Sequence, residues 1–359
     1  AAIDRVVSQA ELENLPLNGR QFANLASLAP GTTLSTNPDP TKPGQLTVAL
    51  NGGIGRNVNY QIDGGDNTDD TIGGALQNFN LEAVAEFRIQ TTQYKAEYGR
   101  SSGGVLSVVT KTGTNDWDGS LYGFFRDDSL SSKTETETRS GADKQPYERQ
   151  QFGGSIGGPV VRDKAHFFAT VERLDRETSY TIDTGGDFAR FDGISVPIPF
   201  KDDLATAKLT WDVNSKQLLQ VRYGYQKNSD KYGASPLAAP DSLGTITNKY
   251  SSLLAGHTAQ LGADRLNELI VQYTTFENSI TADSNDPLIY YPGGFHTGRN
   301  VNTPQTTEQE KYQVRNDFSW STTLSGASHT FKTGVNYIHE PTLRGDFSTG
   351  TAGFFQASE

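Results

Sequence analysis

The chain has 359 residues, a formal net charge of −11, 34% hydrophobic residues and 37 glycines. That apolar content lies below the ~45–50% of an ordinary soluble globular chain, and no apolar run reaches the ~20 residues of a membrane helix. Without a Lys/Arg run, the acidic balance excludes nucleic acid as a partner. The absence of Cys excludes disulfides and thiolate metal sites. Few apolar residues, many glycines and 10% aromatics suit strands that are apolar on one face only. The length predicts two domains. Met is also absent, even at position 1, so the chain is expected to start after a removed segment or to be part of a longer protein.

From the amino end, Ser8 with Glu11 three residues on makes a capping box, and it predicts one helical stretch within residues 1–30. Residues 31–80 are rich in Gly, Asn, Asp, Pro and Thr, with short strands expected at 46–50 and 58–62. Strands at 85–91 and 104–111 complete a small mixed α/β unit that ends near Gly113.

Beyond Gly113 the texture changes. Nine segments alternate in polarity with the period of a strand: 117–127, 148–158, 164–174, 202–212, 216–227, 250–261, 265–277, 311–321 and 328–339. In the fourth, Ala205, Ala207, Leu209 and Trp211 share one face, against Thr206, Lys208, Thr210 and Asp212. In the fifth, Leu219, Val221, Tyr223 and Tyr225 oppose Gln220, Arg222 and Gln226. The apolar sets are assigned to lipid and the polar sets to a lumen. Segment 250–261 alternates poorly and puts His257 on its apolar face. The connections alternate between short ones, near 162–163, 213–215, 262–264 and 324–327, and long ones at 128–147, 175–201, 228–249 and 278–310. Long loops at one end and tight turns at the other are the arrangement of an outer-membrane barrel. Trp117, Trp211 and Trp320 then all fall at the short-turn rim, where an aromatic girdle belongs.

The stretch 84–111 carries a strand at Glu86–Gln90, then Tyr98-Gly99, Gly103-Gly104, the apolar run Val105–Val109 and Thr110-Lys111. It resembles the end of the plug domain of TonB-dependent receptors of the Gram-negative outer membrane. Leu15–Arg20 with Ala29-Pro30-Gly31 resembles the plug's opening, and Asn51-Gly52 with Tyr60–Gly64 resembles its central Asp-Gly element. The likeness covers residues 10–115 best and is greatest to receptors that carry an extra domain before the plug. It implies a membrane all-β fold: an antiparallel outer-membrane β-barrel, partial here with about nine strands, around a small α/β plug domain. Residues 1–114 would be the plug and 115–359 the first part of the barrel.

Nine strands cannot close a plugged barrel of about 22, and an open sheet edge is not tolerated in lipid. The remainder of the barrel is therefore expected from further polypeptide. The resemblance implies gated uptake of an unknown ligand, with no covalent chemistry and no cofactor. Its implied partners are outer-membrane lipid and a TonB-type energy-coupling protein, which would engage an upstream segment not in this chain. The alternative is a structural or adhesion protein of the same plug-and-barrel fold without active transport.

Asp63–Asp70 is the densest acidic run. Within it Asp66, Asn67, Asp69 and Asp70 are candidate ligand contacts at the plug apex. The same residues suit Asx turns. Calcium, a hard cation that takes carboxylate and carbonyl oxygens, is a third reading, although the run departs from the EF-hand pattern, with Gln77 where the bidentate Glu belongs. Tyr290, Tyr291 and Phe295, in the longest loop, are the other candidate contacts, with packing among the loops as the competing reading. Gly153–Gly157 matches Gly-x-Ser-x-Gly, but Gly158-Pro159 and a strand follow where the nucleophile elbow needs a helix. His339-Glu340 is followed by Pro341, which is expected to stop regular pairing, and none of the five histidines forms His-Glu-x-x-His. No catalytic, cofactor or metal residue is assigned.

Overall fold

The structure, a computed structural model, describes residues 3–7, 11, 20, 22–34, 39–45, 47–53, 55–133, 135–140, 143–347 and 354–356. The amino-terminal part contains β1 (Ile3–Val7), β2 (Thr32–Leu34), β3 (Val48–Leu50), β4 (Val58–Ile62), β5 (Gly65–Asp66), β6 (Val84–Thr92) and β7 (Gly104–Thr110). Five of these form one mixed sheet in the order β1-β6-β7-β4-β5, with β4 and β7 parallel. Ser8 lies outside the described residues, so the capping box is not placed; the helix described in this region is a 3-10 helix, Phe22–Leu28. Val48, Val58, Tyr60, Phe87, Ile89 and Leu106 anchor an apolar core that also takes in Leu25 and Ala26 of that helix and is built from the amino-terminal part alone. The Tyr60 hydroxyl accepts a hydrogen bond from the Val48 N–H at 3.0 Å, and burial pushes its phenol up to about 12.

The rest of the chain builds a wall. Its strands are β8 (Asp118–Asp127), β9 (Tyr147–Val161), β10 (Ala165–Thr181), β11 (Ser195–Asn214), β12 (Gln217–Tyr232), β13 (Gly244–Gln260) and β14 (Arg265–Ala282). A small pair, β15 (Leu288–Tyr290) and β16 (His296–Thr297), sits in the next loop. β17 (Gln305–Leu324) and β18 (Ala327–Asp346) complete the wall, and β19 (Phe354–Gln356) returns to pair in parallel with β15. The nine wall strands form one antiparallel sheet in strict chain order, from β8 to β18. All nine expected segments are present.

Their lengths differ from expectation. β11, β17 and β18 run for 20 residues each. Toward the long loops the outward residues turn charged, as at Arg173, Asp203, Lys227 and Glu277, so the apolar signal fades while backbone pairing continues. The long connections shrink to 128–146, 182–194, 233–243 and 283–304. Pro341 does not end pairing: β18 passes through it, and the ladder absorbs the missing N–H as an irregularity between Glu310 and Tyr312. Ser155 lies mid-strand in β9, with its hydroxyl 2.8 Å from that of Ser120, so the nucleophile-elbow geometry is absent there.

The two faces divide as the alternation predicts. Leu209, Val221 and Tyr223 are 43–45% exposed and outward, whereas Lys208 and Arg222 are 5% and 1% exposed and inward. Inward residues of the wall meet the small sheet, which nests against that face.

Register lets the membrane boundary be traced. Trp117 extrapolates through Gly158 and Phe167 to the level of Leu209, and Trp211 lies two residues nearer the short turns. Trp211 in turn is level with Leu219, His257, Leu269 and Asn316, and Trp320 lies four residues nearer the turns. The line of tryptophans thus descends six residues over seven strand steps. With ~3.3 Å per residue and ~4.8 Å per step, that slope is roughly 30°. A horizontal girdle on strands tilted by about 35–45° has much the same slope.

A second outward line, Phe152, Tyr225, Tyr273, Tyr312 and Tyr337, descends by the same six residues over seven steps. Tyr312 and Trp320 are eight residues apart on β17, or ~26 Å along the strand. After tilt this leaves about 23 Å, close to the ~25 Å apolar band of an outer-membrane barrel. His257, level with Leu219 and Leu269, falls close to the lower line, which explains its place on an otherwise apolar face.

These lines make a depth prediction. Nitroxides at Leu209 and Val221 should be relaxed by oxygen and not by a water-soluble nickel chelate, and a nitroxide at Glu308 should show the reverse. Equal chelate accessibility at all three would refute the band. Protease added to intact cells should cut within 128–146, 182–194, 233–243 or 283–304 and spare 215–216 and 262–264.

Candidate functional site

The acidic run sits where the small sheet meets the wall. β4 ends in a tight turn in which Asp63 and Gly64 both take positive φ, 48° and 80°. A side chain on Gly64 would meet Ile270, and one on Gly65 would overlap Gln272, so glycine alone lets this turn touch β14.

Asp63 accepts from the Thr110 N–H at 2.9 Å and the Thr110 hydroxyl at 2.7 Å. It also faces two wall cations, Lys208 at 3.2 Å and Arg222 at 3.7 Å. Asp66 pairs with Lys311 at 3.0 Å and Arg100 at 3.4 Å. Its N–H donates to Gln313 at 2.8 Å, and its carbonyl accepts from Gln272 at 2.7 Å. Asn67 closes a two-bond clasp with the backbone of Gln77, each bond 3.0 Å. Asp69 caps its own turn by accepting from the Thr71 N–H and hydroxyl, pairs with Lys42 at 2.8 Å and accepts from Gln309 at 3.1 Å. Asp70 contacts Arg100 and Lys311, with Glu340 beside it.

The electrostatics follow from burial. Burial pushes the Asp69 carboxyl up, but Lys42 and the Thr71 hydrogen bonds outweigh it and hold it below the usual range. Burial pulls the Lys42 ammonium down, against the attraction of Asp69. Its Nζ also lies 3.6 Å from the centroid of the Phe276 ring, a cation–π contact. Asp70, likewise raised by burial, is held low by the Glu340 hydrogen bond, Lys311 and Arg100. Further along the seam, Asn278 and Asn248 donate to the Thr41 carbonyl at 3.0 and 3.5 Å, and Asn78 N–H donates to Gln226 at 2.9 Å.

The aromatic candidates lie in the long loops. Phe295, 1% exposed, is the hub of an apolar cluster with Ile182, Val196, Ala238 and Leu243. The rings of Phe188 and Phe191 stand 4.9 and 5.0 Å from it, and Tyr291 lies 4.7 Å from Phe188. Three separate loops are thereby fused into one platform. Tyr290, half-buried beside His296 at 5.3 Å, lines a cleft of about 470 Å³ between the platform and the small unit's 39–43 loop. Asp39, Tyr232 and Asn302 also line it.

The structure therefore brings Asp66, Asn67, Asp69 and Asp70 together at the seam and places Tyr290, Tyr291 and Phe295 apart from them, in the platform. Sequence reasoning placed Lys208 and Arg222 inward but missed that they serve Asp63. It did not single out Lys42, Lys311 or Gln313. The available signal was the size of the inward polar residues: long Lys, Arg and Gln side chains reach an object inside the wall.

A family profile described as an outer membrane beta barrel domain matches residues 109–185. The TonB-dependent transporter Oar of Myxococcus xanthus is 30% identical over 154 residues, 42% of this chain and 14% of Oar. Among solved structures, the outer membrane transporter YddB of Escherichia coli superposes with a TM-score of 0.75 at 16% identity, covering 94% of this chain and 48% of YddB. The siderophore receptor PirA of Acinetobacter baumannii gives 0.65 at 16% identity, covering 94% and 48%. At such identity the likeness is one of fold, and the chain spans about half the length of these solved relatives. Sequence relative and shared architecture agree: the chain is similar to a TonB-dependent transporter, carries an outer membrane beta barrel domain and has the fold of outer-membrane receptors.

Proposed function

We propose that residues 1–114 are the plug and residues 115–359 the first part of the wall of a TonB-coupled receptor that takes up an external ligand. The observation that carries this reading is the polarity of the seam. The plug keeps its own apolar core, and its contacts with the wall are mostly ion pairs and amide hydrogen bonds. Leu76 with Tyr250 and Phe276 makes an apolar contact across it, and Gly44 and Gly64 lie against Phe200 and Ile270. Separating such a seam in water exposes groups that water solvates well, and buried ion pairs come close to break-even against hydration. The plug is thus built as a movable part.

The ligand is met from the long-loop side. Tyr290 in the cleft and Asp70 at the seam are the reachable candidates, and Tyr291 shapes the platform around Phe295. Asp66, Asn67 and Asp69 are buried, so they contact a ligand only once the plug has shifted. The chemistry of the relatives' ligands does not carry over, because fold does not fix function.

The chain's lack of cysteine permits a clean test. Asn78→Cys with Gln226→Cys, joined by a reducible bifunctional thiol reagent, should abolish TonB-dependent uptake by cells expressing the complete receptor. Surface binding should persist, and reductant should restore uptake. Uptake that continues with the plug cross-linked would favour the structural or adhesion role.

Removing one partner of a buried ion group leaves the others uncompensated. Lys311→Met should lower the opening free energy of the 63–71 amides by about 3 kcal/mol in hydrogen exchange. Adding Asp66→Asn should recover part of that loss.

Acid should act late. Asp69 and Asp70 have lowered values in the folded state, so their contribution is complete above the unfolded carboxyl value of about 3.9. It is lost as the pH falls through the lower folded values. Proteolysis of the 63–72 segment should therefore stay slow down to about pH 4 and accelerate below it.

A further inference from the structure

On the inner face of the wall, four side chains stand at one level above the seam. In register they are Asp202 on β11, Asn228 on β12, Asn248 on β13 and Asn278 on β14. The asparagines form a neutral chain: Asn278 donates to Asn248 at 2.7 Å, and Asn248 donates to Asn228 at 3.0 Å. Of the four, Asp202 alone can take up or lose a proton. It lies three residues beyond Ala205, which is level with Tyr225 on the upper aromatic line. That is ~10 Å along the strand, outside the apolar band.

Asp202 is 7% exposed. Its two oxygens accept from the Gln226 amide at 2.9 and 3.1 Å. The Gln226 carbonyl accepts the Asn78 N–H at 2.9 Å, and the Asn78 amide donates to the Gly44 carbonyl at 3.0 Å. A single side chain thus joins Asp202 to the plug.

The charges around Asp202 do not compensate it. Arg176 of β10 faces Asp230 of β12 at 3.8 Å and lies over the Phe200 ring. Arg149 of β9 donates to Gln151 at 2.6 Å. Lys42 of the plug is paired with Asp69 at 2.8 Å. Glu172 of β10 and Asp203 of β11 add negative charge. Among the described residues, no ammonium or guanidinium pairs with Asp202. A buried carboxylate without a cation is costly, so the closed seam favours the neutral acid.

We propose that Asp202 is a pH-sensitive latch on the plug. As the neutral acid it sits in the closed seam beside Gln226 and leaves that amide to hold Asn78. As the carboxylate it favours an opened, hydrated seam, and the hold on the Asn78 segment loosens. Burial pushes the Asp202 carboxyl up to about 7, against the Gln226 hydrogen bonds, with Glu172 and Asp203 adding to the rise. In water the same carboxyl titrates at about 3.9. Opening therefore releases a proton between these two values. The closed state has its full advantage below about pH 4, and that advantage is lost as the pH rises through about 7.

The test is hydrogen exchange of the complete receptor in detergent, read at the Asn78 amide and corrected for the intrinsic pH dependence of exchange. Protection in wild type should fall at least about tenfold between pH 5 and pH 7 and level off above, since release of one proton is worth about tenfold per pH unit. Amides of β7 in the plug core should stay level over the same range. Asp202→Asn keeps an acceptor for Gln226 and cannot ionise, so its protection should be high and independent of pH. Leu174→Lys places a cation directly opposite Asp202 on β10 and should move the fall to lower pH. Heat-modifiable gel mobility would establish that each variant is folded. Flat protection in wild type between pH 5 and pH 7 would overturn the proposal. So would an unchanged slope in Asp202→Asn, or an unmoved profile in Leu174→Lys. Exchange reads the seam and not uptake, so this result stands apart from the transport reading.

Discussion

Lipid offers no hydrogen-bond partners, and the architecture of this chain follows from that. Every peptide group in the wall must be paired by a neighbouring strand, because each one left open in hydrocarbon costs several kcal/mol. Consecutive strands joined by turns satisfy the demand most directly, and the wall is such a meander, in unbroken chain order. A ladder of this kind fixes side chains in strict alternation. One face must then be apolar for lipid, and the other is free to be polar. The polar face is where the plug lies, so the character of the seam is a consequence of how the wall crosses the membrane.

The molecule consequently has two kinds of interior. Inside the plug, Phe87, Ile89 and Leu106 pack in an apolar core as in a soluble domain. Between plug and wall the buried groups include Lys42, Asp66, Asp69, Lys208, Arg222 and Lys311. The first interior holds its shape because apolar surface resists exposure. The second holds register, because charges and amides must meet defined partners to be buried at all.

Much of the fold was legible because one physical rule, period two, governs each wall strand. Ala205 to Trp211 and Leu219 to Tyr225 announce their faces without any long-range information. The ends of strands were not legible. Above Tyr225 the outward residue is Lys227, and above Ala205 it is Asp203; there both faces are polar and the period vanishes, although the ladder continues. Pro341 misled for a related reason, since a local rule about one missing N–H was overridden by eighteen paired neighbours along a 20-residue strand. The seam was half legible. Asp63–Asp70 stood out as an acidic run, but its partners, such as Lys311, are some 240 residues away. Only the fold brings them within reach.

The sheet order of the plug also has a mechanical meaning. β1 is the edge strand, five residues long; among the described residues its ladder is with β6 alone and Val7 reaches the core, whereas β6, β7 and β4 each have paired strands on both sides. β7 continues through Gly113, which is pressed against the backbone of Gly158 and Phe167, into the first wall strand. The two ends of the domain are therefore held with unequal strength. A pull on the amino-terminal side is met first by a single short ladder, which can part while the central strands and the tether to the wall remain in place. A domain held in this way would give first at its amino-terminal edge, with its other end fixed to the wall.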